Sequence, residues 1–163
     1  MISIREIDYD TNEDSEKVFS RLTWAVEKVD GLFGQLANGV TVDTNRPWVG
    51  IYDKENMKFE LIEPSGYLTP KFIQVIVLGQ IVQADRKTKL TVRLRLGWYP
   101  IFVSFFIYLG TIGAILMVAI FGELKDIWRL IIWILVFPGL WTIILNRKMN
   151  KVEKKVEDLF GIV

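Results

Sequence analysis

LTVRLRLGWYPIFVSFFIYLGTIGAILMVAIFG, residues 90–122, is the stretch whose reading decides the fold. Its opening alternates: Leu90, Val92, Leu94 and Leu96 against Thr91, Arg93 and Arg95. That period of two marks a half-buried strand. After Arg95 the charges stop, and Leu96 to Gly122 is a run of 27 uncharged residues. At about 1.5 Å per residue, a helix of that length exceeds a hydrocarbon core about 30 Å thick. Pro100 suits a first helical turn, where a missing N–H costs little. Trp98 and Tyr99 stand where an interfacial aromatic belt forms. The stretch therefore predicts a strand that passes directly into a membrane-spanning helix.

Downstream, Leu130 to Asn146 is a second uncharged run of 17 residues, extended by Ile127 and Trp128 if Arg129 snorkels. Pro138-Gly139 predicts a kink in it. Glu123 to Asp126 is long enough only for a tight turn. The expectation is an antiparallel two-helix transmembrane hairpin: helix 96–122, extracytoplasmic turn 123–126, helix 127–146. A cytosolic amphipathic helical tail, 147–163, follows. There Met149, Val152, Val156, Leu159 and Val163 recur at helical spacing, a face suited to docking on the preceding domain.

Upstream, residues 1–95 predict a cytosolic α+β domain. In it one helix packs on a curved antiparallel sheet of about five to seven strands. Ile2, Ile4 and Ile7 open with a short strand. Thr11 or Asn12 is the expected N-cap of a helix whose apolar face is Val18, Phe19, Leu22, Ala25, Val26 and Val29. Asn38-Gly39 predicts a hairpin turn between segments 32–37 and 40–43. Strands are expected at Trp48–Tyr52, Met57–Ile62, Phe72–Val82 and Leu90–Leu96, with a bulge at Gly79. An apolar ligand cleft between helix and sheet would be lined by Trp48, Ile51, Phe59, Leu61, Phe72 and Ile76, and plain core packing accounts for the same residues.

The chain of 163 residues is 51% hydrophobic and 24% charged, and it contains neither histidine nor cysteine. That excludes disulfides, thiolate nucleophiles, imidazole metal ligands and His-based triads. Charge is uneven: residues 1–63 hold 13 acids and 7 bases, net −6, whereas residues 64–95 hold one acid and 6 bases, net +5. Arg86, Lys87, Lys89, Arg93 and Arg95 before the first apolar run, with Arg147 and Lys148 after the second, predict a basic cluster facing anionic lipid. By the same bias both termini are expected in the cytoplasm, at the inner membrane. The start of the chain has no apolar stretch of the kind a signal peptide carries. Nucleic acid is not an expected partner, because the domain is not net basic.

The remaining constellations are weak as chemistry. Asp8, Asp10 and Asn12 match the first ligand positions of a calcium loop, but Glu13 and Phe19 occupy the positions that need Gly and a bidentate Glu. Asp8 and Asp10 also resemble the Asp-x-Asp of haloacid-dehalogenase-like phosphatases, with Asn12 where that family carries Thr or Val. Helix capping accounts for the same acids. Gly31, Gly34, Gly39 and Gly50 fall between strand segments, as turn residues rather than a phosphate loop. Glu60 and Glu63 point to opposite faces of a strand. Within the apolar run, Gly110, Gly113 and Ala114 offer a helix-packing surface. Ser104, Tyr108 and Thr111 fall on one polar face, suited to helix packing or, in an oligomer, to a pore. No cofactor, metal or catalytic residue is expected. The function predicted is that of a non-enzymatic membrane protein whose domain binds a partner, lipid or small ligand. The alternatives are an oligomeric effector that perturbs the bilayer and a carboxylate enzyme.

Overall fold

The computed structural model describes residues 5–30, 44–64, 73–84, 87–121 and 127–162, and the side chains of all of these except 121 and 127–135. The chain runs β1 (Arg5–Thr11), α1 (Ser15–Ala25), β2 (Val26–Lys28), β3 (Trp48–Asp53), β4 (Lys58–Ile62), β5 (Val75–Ala84), β6 (Lys87–Leu96), α2 (Trp98–Phe121), α3 (Ile127–Phe160). The strands form one six-stranded sheet in the order β1-β6-β5-β4-β3-β2. Every pairing is antiparallel except that of β2 with β3, which is parallel. The sheet is therefore mixed rather than purely antiparallel.

β1 extends through the acidic segment. Arg5 to Thr11 pairs along β6, with Glu6 opposite Arg93 and Asp8 opposite Thr91. The acids alternate with Ile7 and Tyr9, which pack against the core. The helix cap lies further on than Thr11 or Asn12: Asp14 is the N-cap of α1, its carboxylate accepting from the Glu16 N–H at 3.4 Å. α1 stops at Ala25 and does not continue to Val29. Val26 is extended and enters β2, and the Arg46 guanidinium takes up its carbonyl at 2.5 Å.

β5 is unbroken. Gly79 pairs with Phe59 on one side and Val92 on the other, without a bulge. Its lack of a side chain serves a close approach: a Cβ there would stand 2.0 Å from Cζ of Phe59. The expected hairpin at Asn38-Gly39, the segments 32–37 and 40–43, Gly31, Gly34, Phe72 and the start of the Phe72–Val82 strand lie outside the described residues.

Two helices, not one, cover the inner face of the sheet. Val18, Phe19 and Leu22 of α1 join Met149, Val152, Val156 and Phe160 of α3 over Phe59, Leu61, Val77, Ile81, Leu90, Val92 and Leu94. A second buried group, Val49, Ile51, Ile62 and Ile76, lies on the opposite face. The residues proposed to line one apolar cleft thus divide between two faces, with Trp48, Phe59 and Leu61 on one and Ile51 and Ile76 on the other. They are core.

The two-helix transmembrane hairpin with a separate tail is not what the structure contains. Among the described residues one helix is long and apolar enough to cross a membrane, Trp98–Ile120 of α2. From Ile127 onward the chain is a single 34-residue helix that runs through Pro138 and ends inside the sheet domain. The reason is local. Arg147, Lys148, Lys151 and Lys154 are good helix formers and give no stop signal, and the apolar spacing from Met149 onward faces the sheet. What reads as a second span plus a tail is one helix, and its second half is a core helix of the domain.

Candidate membrane interface

α2 leaves the sheet abruptly. Leu96 ends β6, and the buried Gly97 donates its N–H to the Gln74 carbonyl at 2.8 Å. Helix begins at Trp98. The 23-residue segment Trp98–Ile120 has a mean hydropathy of 2.4, and only 6% of it is buried. Phe102, Phe105, Phe106, Leu109, Ile112 and Leu116 all project outward. A core helix of a soluble protein hides such side chains; this one presents them.

One stripe of α2 is covered. Pro100, Val103, Ser104, Ile107, Thr111, Ala114 and Val118 are buried or half-buried, at helical spacing. Within it Ser104 is the hinge of a polar link. Its hydroxyl donates to the Pro100 carbonyl at 2.7 Å and accepts from the Trp141 indole N–H of α3 at 2.7 Å. Thr111 bonds back to the Ile107 carbonyl at 2.8 Å. Tyr108 points away and is exposed. The polar face expected from Ser104, Tyr108 and Thr111 is therefore split, and the Ser104 and Thr111 hydroxyls are satisfied by helix and neighbour. Gly110 and Gly113 have open space where a Cβ would be, and Ala114 is half-buried. Among the described residues, the two glycines do not mediate the α2–α3 contact.

The Ser104–Trp141 contact sets the level of everything near it. α3 leads back to the sheet domain that α2 leaves. Six residues back along α2 is Trp98, and six residues on along α3 is Arg147, each about 9 Å away at the rise of an α-helix. Trp98 and Arg147 thus share a level. Trp98, Tyr99 and Arg147 are exposed there, and the half-buried Arg95 stands just before them. Two residues beyond Arg147, Met149 already belongs to the dry core. An aromatic and basic belt therefore divides the exposed apolar helix from the packed domain.

The wider basic cluster does not assemble. β6 is extended, so Lys87 lies about 30 Å from Leu96, at the far end of the sheet. Lys89 is bonded to Asp8 at 3.0 Å and Arg93 to Glu6 at 2.9 Å. Lys148 turns inward to the buried Glu63, which also accepts from Lys155 at 2.5 Å. Arg86 lies outside the described residues. Of the seven cations read from the sequence, Arg95 and Arg147 remain at the belt. Glu60 and Glu63 are both buried on opposite faces and do not converge.

The outer face of the sheet carries a feature that adjacency in the chain conceals. An open groove of about 520 Å³ runs over β5, its lining including Lys58, Leu78, Gln80 and Val82 besides the β6 cations and the β1 acids. The signal for it is the outward set of β5, which holds no charge between charged neighbours. Across this face the ladder of Asp8 and Lys89 shifts both partners. The Lys89 ammonium, with help from Thr91, holds the Asp8 carboxyl below the usual range, and Asp8 raises Lys89 in return.

Comparison with family models, with curated proteins and with solved structures finds no match for the chain.

Proposed function

We propose that the chain is a membrane-anchored binding protein. α2 is held in the bilayer, and the sheet domain lies against the membrane surface on its cytoplasmic side, where it docks a ligand or partner. The observation that carries this reading is α2: a 23-residue apolar helix, 6% buried, with aromatic and basic residues at the level where it meets the domain. Exposing that much apolar surface to water is unfavourable by about 25 cal/mol per Å², and lipid removes the cost. Both β1 and the end of α3 belong to the one domain, so both lie on the same side. Binding is favoured over catalysis because the sequence has no His or Cys and, among the described residues, the two buried glutamates face apart.

The test is extraction. The full chain is expected to sediment with membranes and to resist alkaline carbonate. The paired change Ile112→Lys and Leu116→Lys, at two exposed positions of α2, is expected to release it. Recovery of the unaltered chain in the soluble fraction overturns the anchor. A reporter fused after Val163 is expected to be active only in the cytoplasm; activity only outside it overturns the orientation.

A further inference from the structure

We propose that the outward face of α3, built from Arg147, Lys151 and Lys154, is a contact surface for anionic phospholipid headgroups. The proposal rests on the reading of α2 as a membrane anchor and names the lipid chemistry that the anchored domain selects.

Beyond Asn146, the sides of α3 are occupied differently. One is apolar: Met149, Val152, Val156 and Phe160 enter the core. The flank toward β1 holds Asn150, Glu153 and Glu157. All three are engaged, Asn150 and Glu153 by Arg5 and Glu157 by the Tyr9 hydroxyl. The other flank holds Lys148 and Lys155, both bonded to the buried Glu63. At 3.6 residues per turn, Arg147, Lys151 and Lys154 fall together on the side turned away from the core. All three are exposed, and among the described residues none of them has an ion-pair partner. Asp158 completes that side, one turn past Lys154 and furthest from α2. A solvated helix face ordinarily intersperses both signs. Here two of the acids are drawn to a flank, and an unneutralised basic ridge about 10 Å long remains.

Its position says what covers it. Arg147 shares the level of Trp98 and Tyr99. The span Trp98–Ile120 is about 34 Å of helix, close to a hydrocarbon core of about 30 Å. A bilayer that takes all of it has its boundary at Trp98. The headgroup layer beyond is about 5–7 Å thick. Lys151 is about 6 Å and Lys154 about 10 Å further along α3 than Arg147. Those are the depths for a helix normal to the membrane, and tilt brings both closer. Arg147 and Lys151 thus stand in the headgroup layer. Lys154 lies within a Debye length of it, about 8 Å, and its flexible stem reaches back. The ridge is continuous with the aromatic belt, which favours lipid over an acidic protein as its occupant. Guanidinium and ammonium groups bond phosphate oxygens, and each cation close to an anionic surface favours it by about five-fold.

The full chain is reconstituted in phosphatidylcholine vesicles with a trace of spin-labelled phosphatidylcholine or spin-labelled phosphatidylglycerol. Electron spin resonance reads the fraction of each label held at the protein surface. Phosphatidylglycerol is expected to be enriched there by about two-fold or more, averaged over all the lipids that touch the protein. Salt at about 1 M, where the Debye length is about 3 Å, is expected to lower the enrichment. The joint change Arg147→Gln, Lys151→Gln and Lys154→Gln keeps good helix formers and is expected to remove most of it. Lys17→Gln, Lys54→Gln and Lys87→Gln together remove three exposed cations of α1, the β3–β4 turn and the start of β6. They are expected to leave the enrichment unchanged. Equal retention of the two labels overturns the proposal and leaves the anchor standing. So does an enrichment that the ridge changes leave intact, or that both sets of changes lower equally. Absence of any retained lipid overturns the anchor and the proposal together.

Discussion

Single residues fix the sheet where their neighbours leave no slack. The ring of Phe59 lies over Gly79, and a Cβ there would fall 2.0–2.5 Å from three ring atoms. Gly79→Ala is expected to lower stability by about 1–3 kcal/mol through overpacking, measured by thermal or chemical unfolding. Adding Phe59→Leu is expected to restore part of the loss, whereas the two costs adding in full would mean that the ring is not the obstacle. Glu63 acts through charge. Only 5% exposed, it joins the end of β4 to Lys148 and Lys155 of α3. Glu63→Ala is expected to cost about 1–3 kcal/mol, the lysines recovering some solvation because both are partly exposed. Acid acts on the surface carboxylates. Asp8 beside Lys89, Glu13 beside Lys17 and Arg21, and Asp53 bonded by Asn56 are all held below their ordinary values of 3.8, 4.5 and 3.8. Their contribution is complete above those values and is lost as the pH falls through the lower folded ones. The unfolding midpoint is therefore expected to be insensitive to these groups near neutrality and to fall below about pH 4; Asp8→Asn is expected to flatten that fall.

At the scale of elements, α2 and α3 are joined by one polar link set among apolar contacts. Trp141→Phe removes a donor that Ser104 does not need, since the serine hydroxyl also bonds to Pro100. Ser104→Ala leaves the indole N–H without its acceptor. The serine change is therefore expected to cost more than the tryptophan change, each within about 0.5–2 kcal/mol, and a double-mutant cycle in micelles measures the coupling. Zero coupling would show that the link adds nothing to the pair of helices. The same elements show what a sequence discloses. The alternation of Leu90 to Leu96 places all of β6 but its first three residues, Lys87 to Lys89, and the uncharged run suffices to place α2 within a residue or two. The continuity of α3 is hidden because Arg147-Lys148 looks alike at a membrane boundary and in a solvated helix turn. β2 is three residues long and depends on a parallel partner and on Arg46, which lies 20 residues away. The basic residues of β6 look like a cluster in the chain, but extended geometry strings them along the sheet. The groove needs three strands in register before it exists at all.

Across the whole molecule, α3 makes the apolar helix and the sheet domain parts of one object. It meets α2 through Trp141 and, about 12 Å further along, begins to supply core side chains at Met149. Met149, Val152, Val156 and Phe160 are each no more than 3% exposed. At about 1.5–3 kcal/mol for each buried apolar side chain, the four contribute roughly 6–12 kcal/mol, comparable to the net stability of an entire domain. Polar contacts then fix the helix in place: Arg5 to Asn150 and Glu153, the Tyr9 hydroxyl to Glu157, and the Arg21 guanidinium to the Phe160 carbonyl. The sheet consequently has no complete core until the last turns of the chain have returned to it. A chain ending at Lys148 is expected to leave the sheet open and protease-sensitive, even though every strand and all of α2 are still present. Limited proteolysis of the shortened and full chains in micelles decides this. Equal resistance at residues 5–96 would mean that α1 alone covers the sheet and that α3 is only laid against it. Cleavage within the strands of the shortened chain alone would show that the domain folds only when the helix that follows α2 comes back to close it.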